Sequence, residues 1–423
     1  MDKLYLFLTS LVAPLMPLWL HYRRRIGKED RERMQERFGI TNLTRPEGTL
    51  VWLHAASVGE SNSMLPLIHK ICAQFPTIWV LITTGTVTSA QLMKQRLPER
   101  AVHQYVPIDT PEATRRFIRH WRPDIALWVE SEFWPNLVRE ANDYQCFMAV
   151  INGRMSQRSF LFWQKHPTLI NKMLSSFDYV FAQSEQDATR FKILGAKEVL
   201  HLGNMKFDGE SLPCNENELF KLKAAVGARP IWLAASTHPG EEEIVASVHK
   251  SLILKRPTVL TVIVPRHPDR GAAIADTLGK YFRVALRSRK DPITPDTSFY
   301  IADTLGELGL FYRLCEIVFM GGSLVRHGGQ NPLEPARLAC AIINGPYTYN
   351  FAEIYSDMEQ AGASVLVLDA KQLADRVGIL LNNPAMADSL QTRSQEWVES
   401  KTGATDELLK LLAPLLRPGD NNP

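Results

Sequence analysis

Glu60 closes the loop His54-Ala-Ala-Ser-Val-Gly-Glu60, which comes after the apolar run Leu50–Leu53. Such a run reads as a buried strand, and the small residues after it let a ligand approach the backbone. A carboxylate in this place suits two tasks. It complements the positive end of the helix that starts there, or it acts as a general base on an attacking hydroxyl. Spacing alone does not separate them. A second acidic pair, Glu130 and Glu132, brackets Ser131 between the apolar run Ile125–Val129 and Phe133-Trp134-Pro135-Asn136. Helix capping covers part of that pattern; the rest is read as one carboxylate supporting an acceptor. Nucleotide-sugar enzymes that use a metal carry DxD, no DxD occurs in this chain, and no metal is assigned.

Three segments of the second half suit a nucleotide. Arg266 and His267 come after the strong apolar run Thr258–Val264 and bring cationic groups suited to a phosphate. Gly306, Glu307 and Leu308 open another helix and offer backbone amides to a base or phosphate. Gly321, Gly322 and Ser323 lead through His327-Gly328-Gly329-Gln330 to Asn331, Pro332, Leu333 and Glu334. The last four read as a capped helix start, with Asn331 at the cap, Pro332 first and Glu334 third. The four glycines ahead of them suit close backbone approach to a phosphate. Neither GxGxxG nor GxxxxGK[ST] is present, so the dinucleotide and P-loop readings lack their main support.

These segments need strands to hold them. Apolar runs at Leu50–Leu53, Ile78–Thr83, Ala101–Val106, Ile125–Val129 and Cys146–Ile151 alternate with helical stretches, the pattern of a parallel sheet covered on both faces. The rhythm stops near Gly203, where GNMKFDGESLPCNENE reads as a linker. It restarts at Ile231–Ala235, Thr258–Val264, Phe299–Ala302, Ile317–Met320, Ala341–Ile343 and Ser364–Leu368. VWLHAASVGES and IWLAASTHPGEEE echo each other, as if both halves begin with one strand–loop–helix unit. The expectation is an α/β chain of the GT-B class, two Rossmann-like domains with the site in the cleft between them. The boundaries read as an anchor over 1–22, an acceptor domain over 23–205 and a nucleotide-sugar domain over 206–423, with the last helices, roughly Ala370–Leu416, finishing the second domain or one of them crossing back to the first.

The stretch Leu4–Leu20 carries no charge and is succeeded by Arg23, Arg24, Arg25 and Lys28. It is short for a bilayer span, holds Pro14 and Pro17, and lacks a small-residue cleavage site. A membrane anchor with the remainder of the chain on the cytoplasmic side is the preferred reading; a buried core helix is the alternative. Residues 23–37 read as a solvated charged helix or as a contact for anionic lipid. With 45% hydrophobic and 22% charged residues the composition is globular, and a net charge of +3 gives no sign of nucleic acid. Five scattered cysteines form no CxxC pair, which fits free thiols rather than disulfides or zinc.

The segments HAASVGE, VESEFWPN, INGRMSQRS, QSEQD, GNMKFD, ASTHPGEEE, VPRHPDR, DTLGELGLFY and GGSLVRHGGQNPLEPA, in this order over nearly the whole chain, resemble the Kdo transferases of lipopolysaccharide assembly. The resemblance implies a GT-B enzyme moving 3-deoxy-D-manno-octulosonic acid (Kdo) from CMP-Kdo to a lipid A precursor, lipid IVA, at the cytoplasmic face of a Gram-negative inner membrane. It implies Glu60 as catalytic base and a CMP site on Arg266, His267, Gly306 to Leu308 and Asn331 to Glu334. CMP-Kdo is then a substrate, and no cofactor is expected. With a lipid acceptor, Phe160-Leu161-Phe162-Trp163 and the basic residues of 23–37 become candidate lipid contacts. Two rivals stay open: a GT-B enzyme using a UDP-sugar, transferase or epimerase, and a non-catalytic membrane-bound scaffold of the same fold.

Overall fold

The computed structural model describes residues 2–417. The chain forms two compact α/β units. In the first, the strands are β1 (Leu50–His54), β2 (Trp79–Thr84), β3 (Ala101–Tyr105), β4 (Ile125–Val129), β5 (Phe147–Gly153), β6 (Tyr179–Ala182) and β7 (Val199–His201). They pair in the order β3-β2-β1-β4-β5-β6-β7, every pair parallel. The reversal of direction beside β1 is the doubly wound signature, and it collects the loops after β1 and β4 at one carboxyl edge. The strands are apolar on both faces because both are covered. Trp52, Trp128 and Val150 pack with Phe117 and Phe177 on one side, and Val51, Leu53 and Leu127 pack with Met64 and Ile68 on the other.

The second unit holds β8 (Ile231–Thr237), β9 (Leu260–Pro265), β10 (Val284–Leu286), β11 (Phe299–Ile301), β12 (Ile317–Met320), β13 (Ala341–Asn344) and β14 (Ser364–Leu366). Its order is β10-β11-β9-β8-β12-β13-β14, again parallel. Two Rossmann-like sheets confirm the α/β, two-domain class. Each sheet buries a matching trio: Trp52 and His54 share the Thr83 hydroxyl, and Trp232 and His249 share that of Thr261. Burial pushes both imidazoles down to about 4, so they are neutral packing groups.

The boundaries differ from the expected ones. The first unit runs to Gly209 and takes in the chain from Lys401 onward; the second is Glu210–Ser400. The helix Ala404–Leu416 returns to the first sheet, where Leu408, Leu409, Leu412 and Leu416 are buried beside Met64 and Ile68. Asp208 fastens this return by accepting from the N–H groups of Gly403 and Thr405, both at 2.6 Å. The junction between the units falls within the segment read as a linker, whose Asp208 end is tied to the first unit.

The basic run also differs. Its helix ends at Arg25, and a short 3-10 turn over Met34–Phe38 comes next. Arg37 is buried, with Glu29 across its guanidinium and the Gly85 and Val106 carbonyls as further acceptors. Glu36 accepts from Arg33 and from the Tyr105 N–H. Much of the charge is thus spent on clamping this segment to the edge of the first sheet, and a solvated helix is ruled out.

Lys3–Arg25 is the one candidate membrane span among the described residues. Pro14 and Pro17 start new helical pieces rather than interrupting one, at first-turn positions where proline costs no hydrogen bond. One face is tied to the body: Tyr5 donates to Asp109 at 2.8 Å, and the Asn136 amide donates to the Thr9 hydroxyl at 3.0 Å. The opposite face leaves Leu4, Phe7, Leu11, Leu15, Leu18 and Trp19 exposed. A buried core helix is excluded.

Candidate functional site

In the first unit, chemistry concentrates at the carboxyl edge of β1 and β4. Ser57 caps the helix Val58–Gln74, and Glu60 stands at its third position. The Glu60 carboxylate accepts from the Ala56 N–H at 2.8 Å and the Ser57 hydroxyl at 2.7 Å, while the Ser57 oxygen accepts the Glu60 N–H. This is a capping box, so the structural role considered from the sequence is present. The carboxylate is also electrostatically perturbed. Burial pushes its pKa upward, the Ser57 hydrogen bond opposes that, and the nearby negative Glu130 adds to it. A carboxylate held at one orientation and made more basic suits a general base.

Glu130 comes directly after β4 in a left-handed conformation, φ 59°, which a non-glycine residue adopts only under constraint. Its carboxylate takes the Lys206 ammonium at 2.6 Å. Glu132 is pushed up by burial and then by Glu60 and Glu130, against a bond from Trp134. The structure thus brings all three predicted carboxylates together and adds Lys206. Lys206 was missed because GNMKFD reads as a linker. The usable signal was Asn204, a turn-forming residue whose side chain caps the Lys206 N–H and fixes the lysine's position.

In the second unit, Arg266 and His267 emerge exposed after β9, as expected. The glycine turn does not behave as expected. Gly321 donates its N–H to the Ala235 carbonyl, and the amides of Gly322, Ser323 and Leu324 all donate to the buried Glu241 carboxylate. The amides of Gly328 and Gly329 donate to the Gly322 carbonyl. None of these N–H groups is left for a phosphate. The glycines are required for packing: a Cβ on Gly321 would lie 2.4 Å from the Ser236 oxygen, and Gly322 has φ 69°.

The other two segments are corrected in detail. Glu307 is held by Arg287 at 2.7 and 3.1 Å, and that pairing keeps its carboxyl below the usual range. Its carboxylate is thus engaged, whereas Gly306 faces open space and Leu308 begins the next helix. Asn331 accepts the Leu333 N–H, but it stands one residue ahead of the cap position, which Pro332 takes. The helix, Leu333–Ala336, starts one residue later than Pro332 and is a single turn. Glu334 meets the Asn331 amide. The aromatic stretch divides: Phe160 and Trp163 pack on the core, whereas Leu161 and Phe162 point outward.

His238, after β8, was not singled out from the sequence. Its ring stacks on His327, with centroids 3.5 Å apart, and meets His267 edge-on at 6.3 Å. The Thr-His-Pro-Gly run ahead of a helix was the available signal. Its helix-opening acidic residues drew attention away from the imidazole.

Known proteins resemble this chain in sequence and fold. The family described as "3-Deoxy-D-manno-octulosonic-acid transferase (kdotransferase)" matches residues 32–209. The 3-deoxy-D-manno-octulosonic acid transferase of Rickettsia bellii (strain RML369-C) is 36% identical over 416 residues, 97% of this chain and 99% of its own length. The protein of that name from Haemophilus influenzae is 35% identical over 97% of this chain and 98% of its own. Among solved structures, UDP-GlcNAc 2-epimerase from Neisseria meningitidis matches 87% of this chain and 100% of that chain, with TM-score 0.59 and 15% identity. That last likeness is one of fold alone.

Proposed function

The chain belongs to the Kdo transferase family of glycosyltransferases, and from that premise we propose that it transfers Kdo from CMP-Kdo to a lipid A precursor, with Glu60 as general base. The observation that carries this reading is the cluster of Glu60, Glu130 and Glu132 with Lys206 at one sheet edge. In the proposed step the acceptor hydroxyl attacks the anomeric carbon of Kdo and its proton passes to Glu60. The bond from that carbon to the CMP phosphate oxygen breaks, and its electron pair leaves with CMP. Fixed donors at the points where charge develops lower the barrier more than mobile ones do. Lys206 balances Glu130, so the negative field at Glu60 raises basicity without expelling an anionic donor. Arg266, which pairs with no carboxylate among the described residues, and the exposed His267 are the proposed phosphate contacts.

The exposed apolar face of the N-terminal helices supports an inner-membrane location with the catalytic units on the cytoplasmic side. Trp19 and Arg23 lie together at the end of that face, a pairing suited to the lipid–water boundary. We also propose a metal-independent reaction, since Glu130 takes an ammonium ion as its partner. The test is incubation of the full chain in vesicles with CMP-Kdo and tetraacyl lipid A precursor, and then mass measurement of the lipid. A gain of one or more Kdo masses, undiminished by EDTA, is expected. No gain with CMP-Kdo but turnover of a UDP-sugar would defeat the assignment, and rescue by magnesium after EDTA would defeat its metal-free form.

A further inference from the structure

At the carboxyl ends of the adjacent strands β9, β8 and β12 lie three imidazoles, His267, His238 and His327. His238 is 4% exposed, and its Nε2 is 2.9 Å from the Gln330 amide nitrogen. The amide can only donate there, so the ring nitrogen accepts. His327, His267 and Arg266 are exposed. The two carboxylates that open the helix after β8 are engaged, and Asp269, two residues past His267, is exposed. Glu241 accepts from four backbone N–H groups, those of His238, Gly322, Ser323 and Leu324. Glu242 holds Arg270 through two bonds of 2.9 Å. Glu242 offsets Arg270, whereas Arg266, His267 and His327 pair with no carboxylate among the described residues. Burial first, then His327, His267, Arg266 and Arg270, push His238 down to about 4. The cluster thus presents exposed cationic and imidazole groups at one sheet edge.

We propose that the stacked His238–His327 pair receives the phosphate of the nucleotide donor and takes up a proton as that phosphate binds. This rests on the reading that the donor is a cytidine nucleotide. A phosphate among these rings adds negative charge beside them and so favours an imidazolium in the pair. Stacking at 3.5 Å places the two rings under one shared charge, because two cations at that separation repel. On transfer the sugar–oxygen bond breaks and its electron pair stays on the phosphate oxygen. The imidazolium hydrogen-bonds to that oxygen and offsets the charge gained. The acceptor's proton goes separately to Glu60. Glu241 is the positioning residue of this arrangement, since it joins the loop that carries His238 to the turn that leads to His327.

The experiment is titration calorimetry of the full chain with CMP at pH 7.5 in buffers of different ionisation enthalpy, alongside His327→Gln and with cytidine as the phosphate-free control. The wild type should take up part of a proton per CMP bound, and cytidine none. His327→Gln keeps a polar group at an exposed position but cannot carry charge. It should lose the uptake and bind CMP roughly tenfold to a hundredfold more weakly, the usual loss for one charge-assisted contact. CMP binding by wild type without proton uptake overturns the inference and leaves the donor assignment standing, as does full uptake and affinity in His327→Gln. Failure of wild type to bind CMP at all overturns both.

Discussion

Glu60 and Glu241 occupy corresponding places in the two halves, each a few residues past the end of a strand that carries Trp-Leu and just after a glycine, yet they have gone opposite ways. Glu60 keeps 9% of its surface exposed and is held by one amide and one hydroxyl, both within its own turn. Glu241 is fully buried and accepts from four amides, three of them on the loop after β12. The first arrangement fixes a carboxylate while leaving lone pairs for a substrate. The second uses up the carboxylate to join two loops. A motif alone does not say whether an acid performs chemistry; the number and origin of its donors does.

The comparison is broken or sharpened by three substitutions. The largest effect is expected for Glu60→Gln, which keeps shape and most of the capping but cannot take a proton. Kdo transfer should fall roughly a hundredfold to ten-thousandfold, with melting close to wild type. Transfer within a few-fold of wild type would leave Glu60 as a cap only and pass the role to Glu130 or Glu132. Glu241→Gln should do the reverse. An amide nitrogen would face N–H donors in a buried site, costing roughly 3 kcal/mol of stability, read as an earlier denaturant midpoint for the second unit. Equal melting of the two variants would erase the distinction drawn between them.

The smallest expected effect is a shift of pH profile in Glu130→Gln. The base must be ionised, so rate rises with pH through the Glu60 pKa, which burial holds above the ordinary range. Removing the negative Glu130 and releasing Lys206 both favour ionised Glu60, because one raises its pKa and the other lowers it. The acid limb of kcat/KM should therefore move to lower pH. An unmoved limb would mean that another group sets it.

Much of the architecture was legible because buried parallel strands write themselves as apolar runs. Leu50–Leu53, Ile125–Val129 and Ile317–Met320 all form strands where they were expected. β6, β7 and β10 escaped because three or four residues make too short a run to stand out. The charged stretch before Phe38 misled for a different reason. Its i,i+4 charges fit a solvated helix, whereas Arg37 spends its donors on Glu29 and on carbonyls dozens of residues away. At the site, Glu60 could be named from its local turn, and Arg266 from the strand before it. Glu241's partners and the Lys206–Glu130 pair depend on segments 76 to 83 residues apart, which no local pattern encodes.

The return of Ala404–Leu416 to the first sheet makes the second unit, Glu210–Ser400, an uninterrupted insertion in a discontinuous host. A ribosome delivers such a chain in numerical order, yet its first unit is not the first to be complete. Every residue of the inserted unit has been made before the helix that closes the host core emerges, so Met64 and Ile68 wait for Leu408 and Leu412 throughout the synthesis of Glu210–Ser400. Domains ordinarily complete from the N-terminus forward. Here the proposed nucleotide-binding half can mature first, and the half that carries Glu60 becomes whole only when Ala404–Leu416 joins it.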